Sequence, residues 1–343
     1  MTHFGYKLMT ETHGPRDLVE NAVAAERAGF DFVSISDHFH PWLQSHGHSP
    51  FAWSVLGAIA HATKTVGICT GLTCPIIRYH PAIVAQAAAT IGVMSEGRFT
   101  LALGTGERLN EHVVGQGWPG PTDRLDMLRE AVEIMRLLWE GDLVSHSGTY
   151  FDVESARIYD LPQEPIPIVI GAGGPKAAAL AGEIGDGMMT VSADSQLVEA
   201  FRNAGGGTQR LYAELACAYA ESKQEALELA HRYSRFGALD WSVLTEIPGV
   251  AGFEAATRFV RPEDLAQEMP HGPDVDTYVD AIEKFVDAGF DHIVLVGVGE
   301  DQHPFLRFFE EELSPRLRSG KAARADAHAA GSEPRQERPG LRS

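Results

Sequence analysis

The sequence predicts an α/β fold, a (β/α)8 TIM barrel carrying insertions. Three observations point there. Short runs that are apolar on both faces recur along the chain, as in parallel strands covered by helices. Amphipathic stretches of helical period separate these runs. The alternation makes eight units in 343 residues, which suits one large barrel better than an open sheet.

The strand runs are "HFGYKL" (3–8), "FDFVSISD" (30–37), "VGICTGLT" (66–73), "FTLALGTG" (99–106), "IPIVIGAGG" (166–174), "GMMTVS" (187–192), "RLYAELACAYA" (210–220) and "DHIVLVGVG" (291–299). Helical patterns fill 15–28, 51–63, 81–94, 122–139, 175–184, 195–204, 222–235, 274–288 and 304–317. "AERAGFDFVSISD" and "FVDAGFDHIVLVG" repeat one another as helix, Ala-Gly-Phe-Asp turn and strand, with the glycine where a helix C′ residue belongs. Two segments break the rhythm. Residues 141–162 read as a β-hairpin excursion. Residues 236–272, with Pro248, Pro262 and Pro270, read as an insertion placed to cover the barrel mouth and shape a substrate pocket. The expected organisation is a single barrel domain over 1–318. A tail over 319–343, with no aromatic residue, is expected to be disordered because it cannot offset its ordering entropy.

Composition narrows the function. Hydrophobic residues make 44% and charged residues 22%, ordinary for a chain with a sizeable core. The net charge of −19 argues against nucleic acid or an anionic membrane as partner and leaves an anionic small ligand open, since such a ligand answers to local groups. Cys69, Cys74 and Cys217 form no C-x-x-C pair, which favours a reducing compartment. The first residues lack a basic region followed by an apolar one, and no apolar run approaches the roughly 20 residues of a membrane span. A soluble, cytoplasmic protein acting on a small molecule is expected.

In a barrel, chemistry gathers at the C-terminal strand ends. Glu11 follows the first strand. Asp37, His38 and then Trp42 follow the second, and Thr70 to Cys74 end the third. Gly104-Thr105-Gly106-Glu107 and Asn110 follow the fourth; Gly171-Ala172-Gly173-Gly174-Pro175 follow the fifth and open a helix. The last stretch reads either as a phosphate cradle at a helix N-terminus or as a tight turn. Glu107 reads as a functional carboxylate or as a loop acid. "SDHFHPWLQSHGH" (36–48) concentrates His38, His40, His46 and His48. His38 and His40 form H-x-H, but Pro41 breaks strand alternation and no third ligand has clear spacing, so no metal site is assigned. His38 beside Asp37 is the candidate catalytic histidine, and the other three are taken as structural or solvated.

"ISDHFHPW" (35–42), "TGLTCPIIRYHPAIVAQAAATIG" (70–92), "LALGTGERLNEHVVG" (101–115) and "GAGGPKAAALAGEIGDG" (171–187) resemble the luciferase-like monooxygenase superfamily. Within it they are most similar to the coenzyme F420-dependent glucose-6-phosphate dehydrogenases, from about Phe4 to Leu317. The resemblance implies a bacterial-luciferase-like barrel, usually a homodimer, holding the deazaflavin at the mouth. Cofactor positions carry over to Asp37, His38, Gly71, Leu72, Cys74, Thr105, Gly106, Glu107 and Asn110, with Ala172, Gly173 and Gly174 meeting its phosphate-bearing tail. A non-prolyl cis peptide is implied at Gly71–Leu72. By the same resemblance His38 is the base for a substrate hydroxyl with Asp37 orienting it, and Glu107 is the acid on the cofactor side. Trp42 and Glu11 line the substrate pocket.

The sequence also departs from those enzymes. Where they hold a sugar phosphate with two lysines and an arginine, this chain has residues near Asp194, near Val243, and Gln267. Each lost charge-assisted contact forfeits on the order of 1.5–3 kcal/mol. Arg258 and Arg261 are the cations in the same insertion that could compensate. The expectation is an F420-dependent oxidoreductase acting on an alcohol, a hemiacetal or the reverse carbonyl, and not specific for glucose 6-phosphate. The alternatives are an FMN-dependent monooxygenase on the same barrel and, from another class, a deazaflavin-binding protein without catalysis.

Overall fold

Valine, isoleucine and leucine crowd the apolar runs, and such side chains fit a pleated surface with neighbours on both faces. In the computed structural model, which describes residues 2–319, these runs become strands. In chain order the strands are β1 (His3–Leu8), β2 (Phe32–Ile35), β3 (Gly67–Thr70), β4 (Phe99–Leu103), β5 (Val144–Ser147), β6 (Asp152–Ala156), β7 (Ile168–Gly171), β8 (Gly187–Thr190), β9 (Arg210–Cys217) and β10 (His292–Gly297). Eight of them close into a barrel in the order β1-β10-β9-β8-β7-β4-β3-β2. All its pairs are parallel, with registers such as Tyr6↔Val33 and Leu101↔Ile168. This is the (β/α)8 barrel that the sequence predicts. Most strands stop earlier than their apolar runs, while β1 fills its run completely. β5 and β6 pair antiparallel outside the barrel.

The helices are α1 (Pro15–Arg27), α2 (Ala52–Ala62), α3 (Pro81–Met94), α4 (Arg108–Glu111), α5 (Pro121–Trp139), α6 (Pro175–Ile184), α7 (Ser195–Phe201), α8 (Lys223–Ser234), α9 (Trp241–Leu244), α10 (Val250–Ala256), α11 (Val275–Ala288) and α12 (His303–Phe308). Proline opens α1, α3, α5 and α6, where its missing N–H costs nothing. Gly29 and Gly289 leave α1 and α11 at φ 84° and 106°, so the two Ala-Gly-Phe-Asp turns are made alike. The helix expected over 195–204 stops at Phe201. A wider turn, Arg202–Gly206, follows because Gly205 takes φ 113°. The short α4 begins directly after Glu107, in a stretch with no helical pattern of its own.

One apolar layer joins barrel and helices, and a second fills the barrel with Phe32, Cys69, Ala102, Val169, Met189, Tyr212 and Val294. Nearer the mouth the lining turns polar, with Lys7, Ser34 and Glu214. Between α8 and α11 lies the Pro-containing segment. It carries α9 and α10 and packs Leu244 and Phe253 onto Trp42, Leu43 and Leu109 of the mouth loops. The tail expected to be disordered lies, beyond Ser319, outside the described residues.

Candidate functional site

β1 and β2 are parallel neighbours, so their C-terminal extensions bring Glu11 and His38 to one rim. Glu11 is 1% exposed. Its Oε2 accepts from Ser36 Oγ at 2.6 Å, and its Oε1 lies 3.3 Å from His38 Nδ1. Burial pushes the Glu11 carboxyl up, but His38, the Ser36 hydroxyl and its own backbone amide outweigh it and hold it below the usual carboxylate range. The His38 ring packs edge-on to Trp42 with centroids 4.9 Å apart. Trp42 in turn stacks on Phe236 and abuts Phe253. His38 Nδ1 is hydrogen-bonded to the His40 carbonyl at 3.3 Å, with Glu11 at ion-pair distance from the same nitrogen; a proton held there leaves the lone pair on Nε2, the atom a base needs.

The expectation that Asp37 orients His38 is corrected by its contacts. The Asp37 carboxylate accepts from Thr73 Oγ1 (2.7 Å), Tyr79 OH (3.0 Å) and Arg78 Nη2 (3.1 Å). It braces the loop after β3, and the carboxylate beside His38 Nδ1 is that of Glu11. Arg78 also donates from Nη2 to the Asp37 carbonyl at 2.6 Å and places Nε 3.5 Å from Glu111 Oε1. One buried guanidinium thus ties the loops after β2, β3 and β4. Burial and Arg78 pull Glu111 in opposite directions. Burial, with Glu107 and Asp37 adding to it, prevails over Arg78 and its amide, which donates to Glu111 Oε2 at 2.9 Å, and the Glu111 carboxyl is pushed up to about 7. Cys74 is buried in the same cluster, where burial, with Glu111 and Glu107 adding to it, pushes its thiol well up.

Asn110, the third residue of α4, fastens two loops. Its Oδ1 accepts from the amides of Phe39 (2.9 Å) and His40 (3.1 Å), and its Nδ2 donates to Glu107 Oε2 at 3.4 Å. Glu107 is half-buried. Gly106, at φ 76°, turns the chain close against Cys74 and Glu111.

Gly71–Leu72 is a cis peptide. The Gly71 carbonyl accepts from Lys7 Nζ, which also pairs with Glu214 at 2.5 Å inside the barrel. The Leu72 side chain lies over the strand ends beside it. A Cβ at Gly171 would stand 2.4 Å from Leu72 Cδ1, and one at Gly104 would stand 2.9 Å from it. Two glycines of the Gly-rich stretches therefore make room for Leu72. Gly173 and Gly174 precede α6. The amides of Gly173, Gly174, Lys176 and Ala177 donate to no backbone or side-chain acceptor among the described residues. Ala172 is buried, and its amide bonds Met189 O at 2.8 Å. Thr105 is half-buried beside Gly106.

The other histidines separate as follows. His46 is buried, with Nε2 2.7 Å from Tyr233 O; His40 stacks on His112, centroids 6.0 Å apart; His48 is exposed. Among the described residues no three of His, Cys, Asp or Glu are grouped to hold a metal. Asp194 caps α7 through Gln196, and Val243 and Gln267 are exposed. Arg261 is engaged by Asp264, and Arg258 lies over the Phe259 ring. Sequence reasoning missed Lys7, Glu214, Arg78 and Glu111. Arg78 stands within the quoted 70–92 stretch, but both acids it joins, Asp37 and Glu111, are distant from it in the chain.

A sequence profile described as luciferase-like monooxygenase matches residues 1–292. The chain belongs to this family. Relatives in it include proteins named F420-dependent glucose-6-phosphate dehydrogenase. The one from Gordonia bronchialis is 38% identical over 337 residues, spanning 92% of this chain and 97% of the relative. The one from Rhodococcus erythropolis is 39% identical over 336 residues with the same coverage. A solved family structure, an F420-dependent secondary alcohol dehydrogenase in complex with an F420-acetone adduct, is 34% identical with a TM-score of 0.84, over 90% of this chain and 97% of that one. The coenzyme F420-dependent tetrahydromethanopterin reductase from Methanopyrus kandleri shares the fold, with a TM-score of 0.74 at 22% identity over 92% and 99% of the two chains. No helix among the described residues is long and apolar enough to cross a membrane.

Proposed function

We propose that this chain is an F420-dependent oxidoreductase moving hydride between the deazaflavin and an alcohol, a hemiacetal or the corresponding carbonyl compound. The observation that carries the reading is the mouth itself. A Glu11-paired His38 stands beside Trp42, Glu107 is fastened to the same loop through Asn110, and a row of unbonded amides waits at Gly173 to Ala177. The relatives' names and their full-length similarity support it.

The residues present suit the cofactor. The Gly71–Leu72 peptide, Thr105, Gly106 and the buried Cys74 stand at adjacent strand ends that a flat ring could lie against, with Asp37 and Asn110 bracing the loops there. The amides before α6 suit a phosphate. When bound, the deazaflavin supplies a ring carbon that takes or returns a hydride in one two-electron step and reacts poorly with oxygen. The chain's part is positioning and proton handling. His38 Nε2 takes the proton of the substrate hydroxyl. The His40 carbonyl holds Nδ1–H, and Glu11, 3.3 Å from the same nitrogen, stabilises the imidazolium that results. Glu107 is the acid–base group on the cofactor side. Trp42, backed by Phe236 and Phe253, walls the substrate side and keeps water out.

Glucose 6-phosphate is a poor substrate on this reading. Asp194, Val243 and Gln267 bring no cation, and Arg261 is already engaged by Asp264. Saturable oxidation of it at about millimolar concentration or below would overturn this point. The three free, buried cysteines favour a cytoplasmic location. Exposed Phe51, Ile83, Val93 and Met94 on and beside α2 and α3 favour a homodimer, for which sedimentation as a monomer is the contrary result. The activity is tested by anaerobic incubation with F420 and a panel of secondary alcohols and hemiacetals, following the deazaflavin's visible absorbance. Oxygen consumption with reduced FMN would favour the monooxygenase reading instead. F420 binding without turnover across the panel would favour a non-catalytic role.

A further inference from the structure

We infer that Trp241 holds the phosphate-bearing tail of the cofactor against the loop before α6, a contact that sets how tightly the tail is kept. The inference rests on the deazaflavin reading above and adds to it a residue from the inserted segment.

α9 is capped at its start and tied to the mouth at its end. Asp240 caps it through the Ser242 amide at 2.8 Å. At its other end the Thr245 carbonyl accepts from the Arg108 amide at 3.0 Å, next to Glu107. Glu246 accepts from Trp118 Nε1 at 3.1 Å and pairs with Arg124 at 3.3 Å. The segment is thus fixed to the loop after β4, and from there the Trp241 indole reaches the loop after β7, the neighbouring strand.

The reach is direct. A Cβ at Gly173 would stand 2.8 Å from both Cδ1 and Nε1 of Trp241. Real Cβ atoms do not approach so closely, so glycine at 173 is what admits the ring. The indole keeps 41% of its surface exposed, and its Nε1–H has no acceptor among the described residues. Beside it stand the unbonded amides of Gly173, Gly174, Lys176 and Ala177. Donors converge here without an acceptor, and an apolar ring lies alongside. The complement is an anionic group joined to an organic chain, which is what a phosphodiester tail presents.

The test is titration of the full-length protein with two probes, F420 and the phosphate-free riboside of the same deazaflavin ring, read by the deazaflavin's fluorescence. Trp241→Ala is expected to weaken F420 binding about tenfold or more and Trp241→Phe by less, with riboside affinity unchanged in both. Gly173→Ala should weaken F420 binding in the parent chain and have little further effect on top of Trp241→Ala, because the ring it collides with is gone. An unchanged F420 affinity in Trp241→Ala overturns the inference, as does an equal loss for both probes. If the unaltered chain binds FMN and not F420, the deazaflavin reading itself falls, a result distinct from a flat Trp241 series.

Discussion

His38 Nδ1 and Glu11 Oε1 lie 3.3 Å apart, joined across two strand ends, while Asp37, the chain neighbour of His38, turns its carboxylate to Thr73, Arg78 and Tyr79. Adjacency in the barrel, not in the chain, decides which acid serves the histidine. Two adjacent residues at a strand end point to different sides, and the parallel neighbour supplies the partner.

This separates two acids kinetically. Glu11→Gln and His38→Gln are expected to lower kcat by roughly 10²–10⁴ with F420 affinity nearly intact. Asp37→Asn breaks a buried bond to Arg78 and should destabilise the fold by about 3 kcal/mol while weakening F420 binding. Steady-state kinetics, titration and urea unfolding together check it. A kcat loss for Asp37→Asn as large as that for Glu11→Gln, with cofactor affinity and stability unchanged, contradicts the assignment.

Gly171 is predicted to be intolerant for a reason that lies in Leu72. Gly171→Ala brings a methyl group to 2.4 Å from Leu72 Cδ1 and should cost about 1–3 kcal/mol. Adding Leu72→Ala should recover much of that loss in a double-mutant cycle. Additive losses would show that the two side chains do not compete for the same space.

Lys7 and Glu214 form an ion pair inside the barrel with 5% and 17% side-chain exposure. Lys7→Met leaves Glu214 and the Gly71 carbonyl without their donor, and a loss of about 3 kcal/mol in urea unfolding is expected. Lys7→Met with Glu214→Leu should be less damaging than Lys7→Met alone. The opposite order would mean the pair is not coupled.

Glu111 gives a pH signature. Burial raises its carboxyl to about 7, so the folded chain binds a proton that the unfolded chain releases nearer the ordinary value of 4.5. Its contribution to stability is therefore full below that ordinary value and is lost as pH rises through about 7. Relative to Glu111→Gln, the parent protein should lose on the order of 3 kcal/mol between about pH 4 and pH 8. A pH-independent difference in urea midpoints would contradict this.

The barrel was legible because its strands are apolar on both faces and alternate with stretches of helical period, two of which end at a glycine. These are local signals, and Gly29 and Gly289 obey them in the same way. The mouth was legible as a set of strand ends. Motifs in order located Glu11, His38, Trp42 and Glu107 there, but not their pairing. Arg78 and Glu111 escaped because a buried charge is recognised only once its partner is placed, and theirs are supplied by other loops. Lys7 escaped for the same reason, with its acid 207 residues away. The glycines of "GAGGP" were read as phosphate cradle or turn. Gly171 instead, together with Gly104, clears space for Leu72, which composition does not reveal.

The central claim is that the mouth holds a deazaflavin, and parallel fluorescence titration with F420 and FMN tests it most directly. Saturable binding of F420, with FMN binding weaker by at least about tenfold, is the predicted result. Equal binding of the two, or preference for FMN, would contradict the account.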